Sequence, residues 1–104
     1  MINYIYARRD CASERFDPLI IAASDEAAFR TLIYTWRIPD ILARKTYKYF
    51  RLGMFNNETG GLEATDPADI SEAFLEYCDQ VQEAEMKRAA KFEQLKKEID
   101  NAGA

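Results

Sequence analysis

The residues best suited to chemistry in this chain are cations and aromatic side chains interleaved between positions 44 and 55. Guanidinium and ammonium groups neutralise phosphates, and aromatic rings stack on unpaired bases. This combination on one strand is typical of proteins that hold single-stranded nucleic acid. The sequence therefore predicts a single-stranded nucleic-acid interface at Arg44, Lys45, Tyr47, Lys48, Tyr49, Arg51 and Phe55.

Strict alternation along this strand places aromatic residues and Arg51 on one side, at odd positions from Tyr47 to Phe55. Lys48, Phe50, Leu52 and Met54 share the other side, which resembles a core-facing set. The odd-numbered side is then expected to face solvent. Stacked bases, a protein interface or packing beneath a helix would each account for its aromatic residues, and the sequence leaves these three alternatives open.

Several kinds of chemistry are disfavoured by what the chain lacks. It contains no histidine, which removes the commonest general base and most zinc sites. Its two cysteines, Cys11 and Cys78, are far apart, and two free thiols are expected. An acidic series at helical spacing in the second half is interpreted as a solvated face rather than a metal site. We expect no enzyme activity, cofactor or metal.

Charge is distributed unevenly over the 104 residues, whose formal net charge is -4. Residues 1–55 hold nine Lys/Arg and six Asp/Glu, whereas residues 56–104 hold five and twelve. An acidic total argues against tight duplex binding over the whole surface, but a local basic strip is compatible with it because distant charges are screened. No apolar run has the length of a membrane span, and no signal peptide is recognisable, so an intracellular location is expected.

The first half of the chain predicts two strands and a helix. Residues 2–9 are rich in strand formers, and the apolar run at 18–23, with Pro18 first, suggests a strand buried on both faces. Ser24 is a good helix cap, and Pro39 ends that helix. Trp36 is expected in the core, and a short helical turn is possible in the connector at 41–43.

The second half predicts a hairpin over 47–64 and then one long helix beginning at Asp66-Pro67 and running to about Asn101. Such a helix exceeds a small domain in length, so residues 1–81 are expected to form the compact domain and residues 82–104 to project. A second copy of the chain is the simplest partner for its distal stripe, Phe92, Leu95 and Ile99. The fold class is α+β, with about four antiparallel strands in ββαββα order.

Four segments resemble one known family. They are Tyr-Ile-Tyr-Ala-x-x-Asp at 4–10, the Pro-Leu-Ile strand, Ser-Asp-Glu-Ala-Ala-x-Arg at 24–30, and Tyr-Lys-x-Phe-x-Leu-Gly-x-Phe-x-x-Glu-Thr-Gly at 47–60. The chain resembles the small nonstructural protein of gokushoviruses, single-stranded-DNA phages of the Microviridae. The resemblance covers about residues 3–64. The long helix after Asp66 departs from the family, whose members often end soon after the hairpin.

This resemblance implies a non-capsid protein in the host cytoplasm that acts during phage replication. By analogy with the microvirus C protein, it would act in the switch from duplex replication to single-strand synthesis and packaging. Two hypotheses follow: an oligomeric accessory protein that binds single-stranded DNA, or a module that regulates phage or host replication proteins through its acidic C-terminal helix without binding DNA.

Overall fold

A four-stranded antiparallel sheet forms the centre of the computed structural model. The elements are β1 (Ile2–Asp10), β2 (Arg15–Ala22), α1 (Asp25–Trp36), α2 (Ile41–Thr46), β3 (Tyr47–Asn56), β4 (Leu62–Asp69) and α3 (Ser71–Ala102). The strands lie in the order β2-β1-β3-β4. The predicted α+β class and strand count are confirmed, and the helical turn in the connector is the short helix α2.

The structure describes residues 1–103, without the side chains of Pro18 and Trp36. The predicted core position of the Trp36 side chain therefore lies outside the described residues. The predicted cap of α1 is confirmed, because the Ser24 hydroxyl oxygen accepts a hydrogen bond from the Ala27 amide at 3.2 Å. Two acids, Asp25 and Glu26, follow in the first turn, where they complement the helix dipole.

Pro18 lies inside β2 and not at its first position, which corrects the sequence prediction. The register changes there from Ala7 opposite Leu19 to Arg8 opposite Asp17, so Pro18 is the extra residue of a bulge. Proline is tolerated at this point because β2 is an edge strand and a bulge needs no ladder hydrogen bond from it. The strand therefore begins three residues earlier than predicted, at Arg15.

The hairpin turn after β3 is confirmed, but β4 is longer than predicted and α3 starts later. Pairing continues to Asp69 opposite Phe50, so Asp66 and Pro67 belong to the strand and do not begin the helix. The amide of Ile70 then donates to the Tyr49 carbonyl at 2.9 Å, which extends the pairing by one more bond. Strand pairing with β3 outweighs the local helix-start signal.

One face of the sheet packs against α1 and the first turns of α3, and we call it the covered face. Its strand residues, all in contact with the core, are Tyr4, Tyr6, Ile20, Ala22, Tyr47 and Tyr49. The helices contribute Ala28, Phe29 and Leu32 from α1, and Ile70, Phe74 and Cys78 from the start of α3. Aromatic contacts dominate this core, with Phe74 placed 5.4 Å from Phe29 and 4.2 Å from Tyr49 between ring centroids.

The opposite face, which we call the open face, carries the alternate strand residues. These are Ile5, Ala7, Arg9, Phe16, Leu19, Ile21, Lys48 and Phe50. Leu19 and Ile21 are each more than half exposed. The prediction that this strand is buried on both faces is therefore wrong, because the helices cover one side of the sheet.

Helix α3 extends well beyond the sheet. The described chain measures 64 × 36 × 17 Å and has a radius of gyration of 18.6 Å. A compact domain of this length has a radius of gyration of about 13 Å. Every residue from Gln82 to Gly103 is exposed. Within residues 1–103, no helix combines the length and apolar character needed to cross a membrane.

Candidate nucleic-acid interface

The predicted strip at 44–55 is divided between the two faces of the sheet. Tyr49 is only 5% exposed and packs against Phe74, so the prediction that its side of β3 faces solvent is wrong. Burial raises the pKa of Tyr49 to about 12, because the phenolate would lose its hydration. Tyr47 lies on the same face and is half-buried. Tyr47 and Tyr49 therefore pack beneath the helices, which is one of the three alternatives that the sequence left open.

The two arginines of the predicted strip, Arg44 and Arg51, both form salt bridges with carboxylates. Arg51 lies 3.1 Å from Asp25, and the Tyr6 hydroxyl donates to the same carboxylate at 2.5 Å. Burial, followed by this hydrogen bond, raises the pKa of Tyr6 above its ordinary value. Arg44 donates to Asp79 at 2.6 Å, which fastens α2 to α3 and raises the pKa of Arg44. Both guanidinium groups therefore serve the fold.

Arg8 also belongs to the covered face, opposite Tyr49. Its guanidinium carbon lies 4.0 Å from the centre of the Tyr47 ring, and its nearest nitrogen is 3.7 Å from Asp17. A cation over an aromatic face is attracted by the ring quadrupole. One face of the Tyr47 ring is therefore already occupied by an arginine of its own chain.

A bulge at Leu52 reverses the alternation along β3. Arg51 pairs with Tyr6 and Gly53 with Ile5, which leaves Leu52 as the extra residue. Phe55 is therefore on the open face, whereas strict alternation placed it with Tyr49. A glycine inside a strand is typical of a bulge or of a close approach of backbone, and both occur here, since a Cβ on Gly53 would collide with the Glu63 carbonyl oxygen.

The open face brings together four residues from three strands: Arg9, Phe16, Lys48 and Phe50, which we call the open-face cluster. Phe16 is 42% exposed and meets Phe50 edge-on, at 5.6 Å between centroids and an interplanar angle of 73°. The Arg9 guanidinium carbon lies 5.7 Å from the Phe16 ring centre. Of these four, the predicted site included only Lys48.

The two cations of the open-face cluster face each other. Arg9 is directly opposite Lys48 in the β1–β3 register, and within residues 1–103 neither forms an ion pair. The buried Nε of Arg9 also has no hydrogen-bond acceptor there. Like charges opposite each other on a sheet are destabilising. An anion bound between them would remove that repulsion.

Asp69 is an acid beside this cluster, since it lies opposite Phe50. Its carboxylate accepts a hydrogen bond from the Ser71 amide at 2.9 Å. Hydrogen bonds from Ser71 are the main cause of the lowered Asp69 pKa, and the charge of Lys48 contributes less. The carboxylate keeps its charge, but within residues 1–103 it forms no salt bridge with Lys48 or Arg9.

The remaining predicted residues are dispersed. Lys45 is exposed in the last turn of α2, and Phe92, Leu95 and Ile99 are exposed along α3. Cys11 is exposed and Cys78 buried, and both are free thiols, as predicted. Burial raises the pKa of Cys78 to about 11. In the described part of the chain, no three cysteine or carboxylate side chains are grouped as metal ligands.

Sequence reasoning missed Arg9, Phe16 and Phe50 for identifiable reasons. Asp10 and Glu14 lie close to Arg9 in sequence and mask its basic character, and alternation placed Phe50 with the core-facing set. Phe16 precedes the strand predicted at 18–23, although it lies in β2 opposite Arg9. A pairing of residues 15–22 with 4–10 would have placed these two side by side.

Comparison of the chain with protein-family models, with curated proteins and with solved structures found no match.

Proposed function

We propose that this chain is a non-enzymatic accessory protein that binds single-stranded DNA through the open face of its sheet. The observation that carries the proposal is the open-face cluster, in which two unneutralised cations border two accessible aromatic rings. A single strand offers both complementary groups, phosphates and unpaired bases. A duplex offers phosphates but keeps its bases stacked on each other.

The apolar surface around the cluster supports the same proposal. Leu19 and Ile21 continue it along β2, and Phe55 and Leu62 continue it toward the hairpin. Unpaired bases can lie across such a surface, since each has an apolar face. Stacking on an exposed aromatic contributes about 1–3 kcal/mol per base.

The resemblance to gokushovirus nonstructural proteins supplies the setting of the proposal. In that setting the protein acts in the host cytoplasm while a single-stranded phage genome is replicated or packaged. Strand-selective binding suits this step, because the product must be kept from re-entering duplex synthesis. Binding of this kind requires no covalent reaction by the chain.

The test is fluorescence anisotropy of a labelled oligothymidine of about 20 nucleotides, beside a matched duplex, at several salt concentrations. We expect salt-sensitive binding that prefers the single strand. Phe16→Ala should weaken it about tenfold, by loss of stacking. A variant carrying both Arg9→Gln and Lys48→Gln should lower the slope of log affinity against log salt by about 1.4, which is ~0.7 for each lost phosphate contact.

Matched controls come from α1, which packs against the other side of the sheet. Tyr34 is an exposed aromatic residue there, and Arg30 is an exposed cation. Tyr34→Ala and Arg30→Gln should bind like the unmodified protein. Equal losses in the control and cluster variants would refute the open face as the site. Absence of binding to either nucleic acid at low salt would refute the proposal and favour a protein-interaction module.

A further inference from the structure

The exposed part of α3 carries an apolar seam that the rest of the described chain leaves uncovered. Phe92 is 68% exposed, Leu95 48% and Ile99 71%. With Ala102 they follow the 3-4-3 spacing of a coiled-coil seam, in which residues at positions a and d of a heptad face a partner helix. One heptad earlier the seam continues with Glu85 and Arg88.

The charge of this segment identifies its partner. Residues 82–104 hold five Lys/Arg and five Asp/Glu, so they are neutral as a whole. The excess of acid in the second half of the chain lies before residue 82. A strongly basic or acidic partner therefore finds no complementary net charge here, whereas a second copy of the same helix offers matched charges.

Those charges also select an orientation. In a parallel pair each seam residue meets its own copy, which sets Glu85 against Glu85 and Arg88 against Arg88. The flanking g and e positions would then bring Lys91 close to Lys96 of the partner. All three encounters are between like charges, so the sequence opposes parallel pairing.

We propose that α3 pairs with α3 of a second copy in antiparallel orientation, centred between Phe92 and Leu95. Each a residue then faces a d residue, so Phe92 packs on the partner's Leu95 and the stem of Arg88 packs on the partner's Ile99. The flanking Lys91 meets the partner's Glu98, twice by symmetry. Within residues 1–103 neither Lys91 nor Glu98 forms an ion pair of its own.

The register is fixed by the same contacts. Sliding the helices by one heptad in either direction sets Lys91 against Lys91, or Glu98 against Glu98. In the proposed register the overlap runs from Glu85 to Ala102, about 27 Å at 1.5 Å per residue. The partner's last turn therefore ends opposite Glu85, just past Val81, where α3 leaves the sheet and full exposure begins.

Sedimentation equilibrium of the full chain, without nucleic acid, tests this pairing. The mass should rise with concentration from 12.0 kDa toward twice that value. Leu95→Glu should keep the protein monomeric, with an unchanged thermal unfolding of the sheet domain. A mass of 12.0 kDa at every concentration, or dimerisation that survives Leu95→Glu, would overturn the proposal.

Charge reversal separates the two orientations. In the antiparallel pair Lys91→Glu faces the partner's Glu98 and should weaken association about fivefold. Adding Glu98→Lys to the same chain should restore it. Lys97→Glu makes the same charge change on the side away from the seam and is the matched control. Tighter association of Lys91→Glu would indicate parallel pairing through Lys96 and would also overturn the proposal.

Discussion

The two faces of the sheet use the same residue types for different purposes. On the covered face, Tyr49 packs beneath Phe74 and Arg51 is held by Asp25. On the open face, Phe16 remains accessible and Arg9 faces Lys48 with no acid between them. Composition is thus similar on the two sides, and the difference lies in whether each ring has a helix over it and each cation has a counterion.

This contrast gives a physical criterion for the candidate site. Cations that stabilise a fold are matched within the chain, since an unmatched charge near an apolar surface costs free energy of solvation. Cations that await an anionic ligand stay unmatched until it binds. Arg44 and Arg51 are matched in this way, whereas within residues 1–103 Arg9 and Lys48 form no salt bridge, as the proposed binding of an anion requires.

The largest expected effect is on the free energy of unfolding, when one aromatic side chain is removed from each face of the sheet and the two losses are compared. Phe74→Ala should lower the free energy of unfolding by about 3–5 kcal/mol, because it opens a cavity against two other rings. Phe16→Ala should cost about 1 kcal/mol or less, since it loses one edge contact and little buried area. Urea unfolding followed by circular dichroism measures both.

Phe74→Leu keeps that comparison measurable if the alanine variant does not fold, because it retains most of the buried volume. It should still cost more than Phe16→Leu. Similar losses at the two positions would mean that the open face is as well packed as the covered face, which contradicts the exposure of Phe16.

The second prediction concerns pH and the two thiols. Burial raises the pKa of Cys78 from 9.0 to about 11, so the folded state disfavours its thiolate. The resulting stabilisation is complete below about pH 9 and is lost as pH rises through 11, by about 3 kcal/mol in total. Urea unfolding at several values from about pH 8 to pH 11 should show this decline.

Cys78→Ala should remove this part of the decline. Cys11→Ala, which deletes the exposed thiol, should keep it. Tyr49, with its pKa raised from 10.0 to about 12, adds a further loss at higher pH in both variants. An equal decline in the two cysteine variants would show that Cys78 is not the group responsible.

Much of this fold can be predicted from local sequence signals, and the predictions that fail share one cause. Ser24 as a helix cap and Asn56 to Gly60 as a turn were predictable, because each acts on backbone within a few residues. Asp66-Pro67 gave an equally good local helix start and was wrong. Its competitor, pairing with β3, depends on residues far away in the chain.

The candidate site shows the same limit more sharply. Alternation identified two faces of β3, but composition could not say which would receive the helices. The bulge at Leu52 places Phe55 on the other side of the sheet. In the sequence, only the adjacent Gly53 indicates this irregularity. Arg9 and Phe16 become neighbours through the β1–β2 register, which no property of either residue reveals.

The smallest expected effect is on the coupling energies between charged side chains, which two double-mutant cycles measure. Arg51 with Asp25 should show an attractive coupling of about 1 kcal/mol, reduced by the partial exposure of both groups. Arg9 with Lys48 should show a repulsive coupling of a few tenths of a kcal/mol. Glutamine replaces each arginine and the lysine, and asparagine replaces Asp25, so that side-chain size is nearly preserved.

The sign of the coupling between Arg9 and Lys48 decides whether the two faces of the sheet differ in how their cations are matched. Repulsion means that the folded chain holds two like charges together on the open face, and added salt should then weaken the coupling by screening. A bound oligonucleotide should reduce it further, because phosphate supplies the missing counterion. An attractive or zero coupling between Arg9 and Lys48 would show that the open face already satisfies its cations. The two faces would then differ only in their packing.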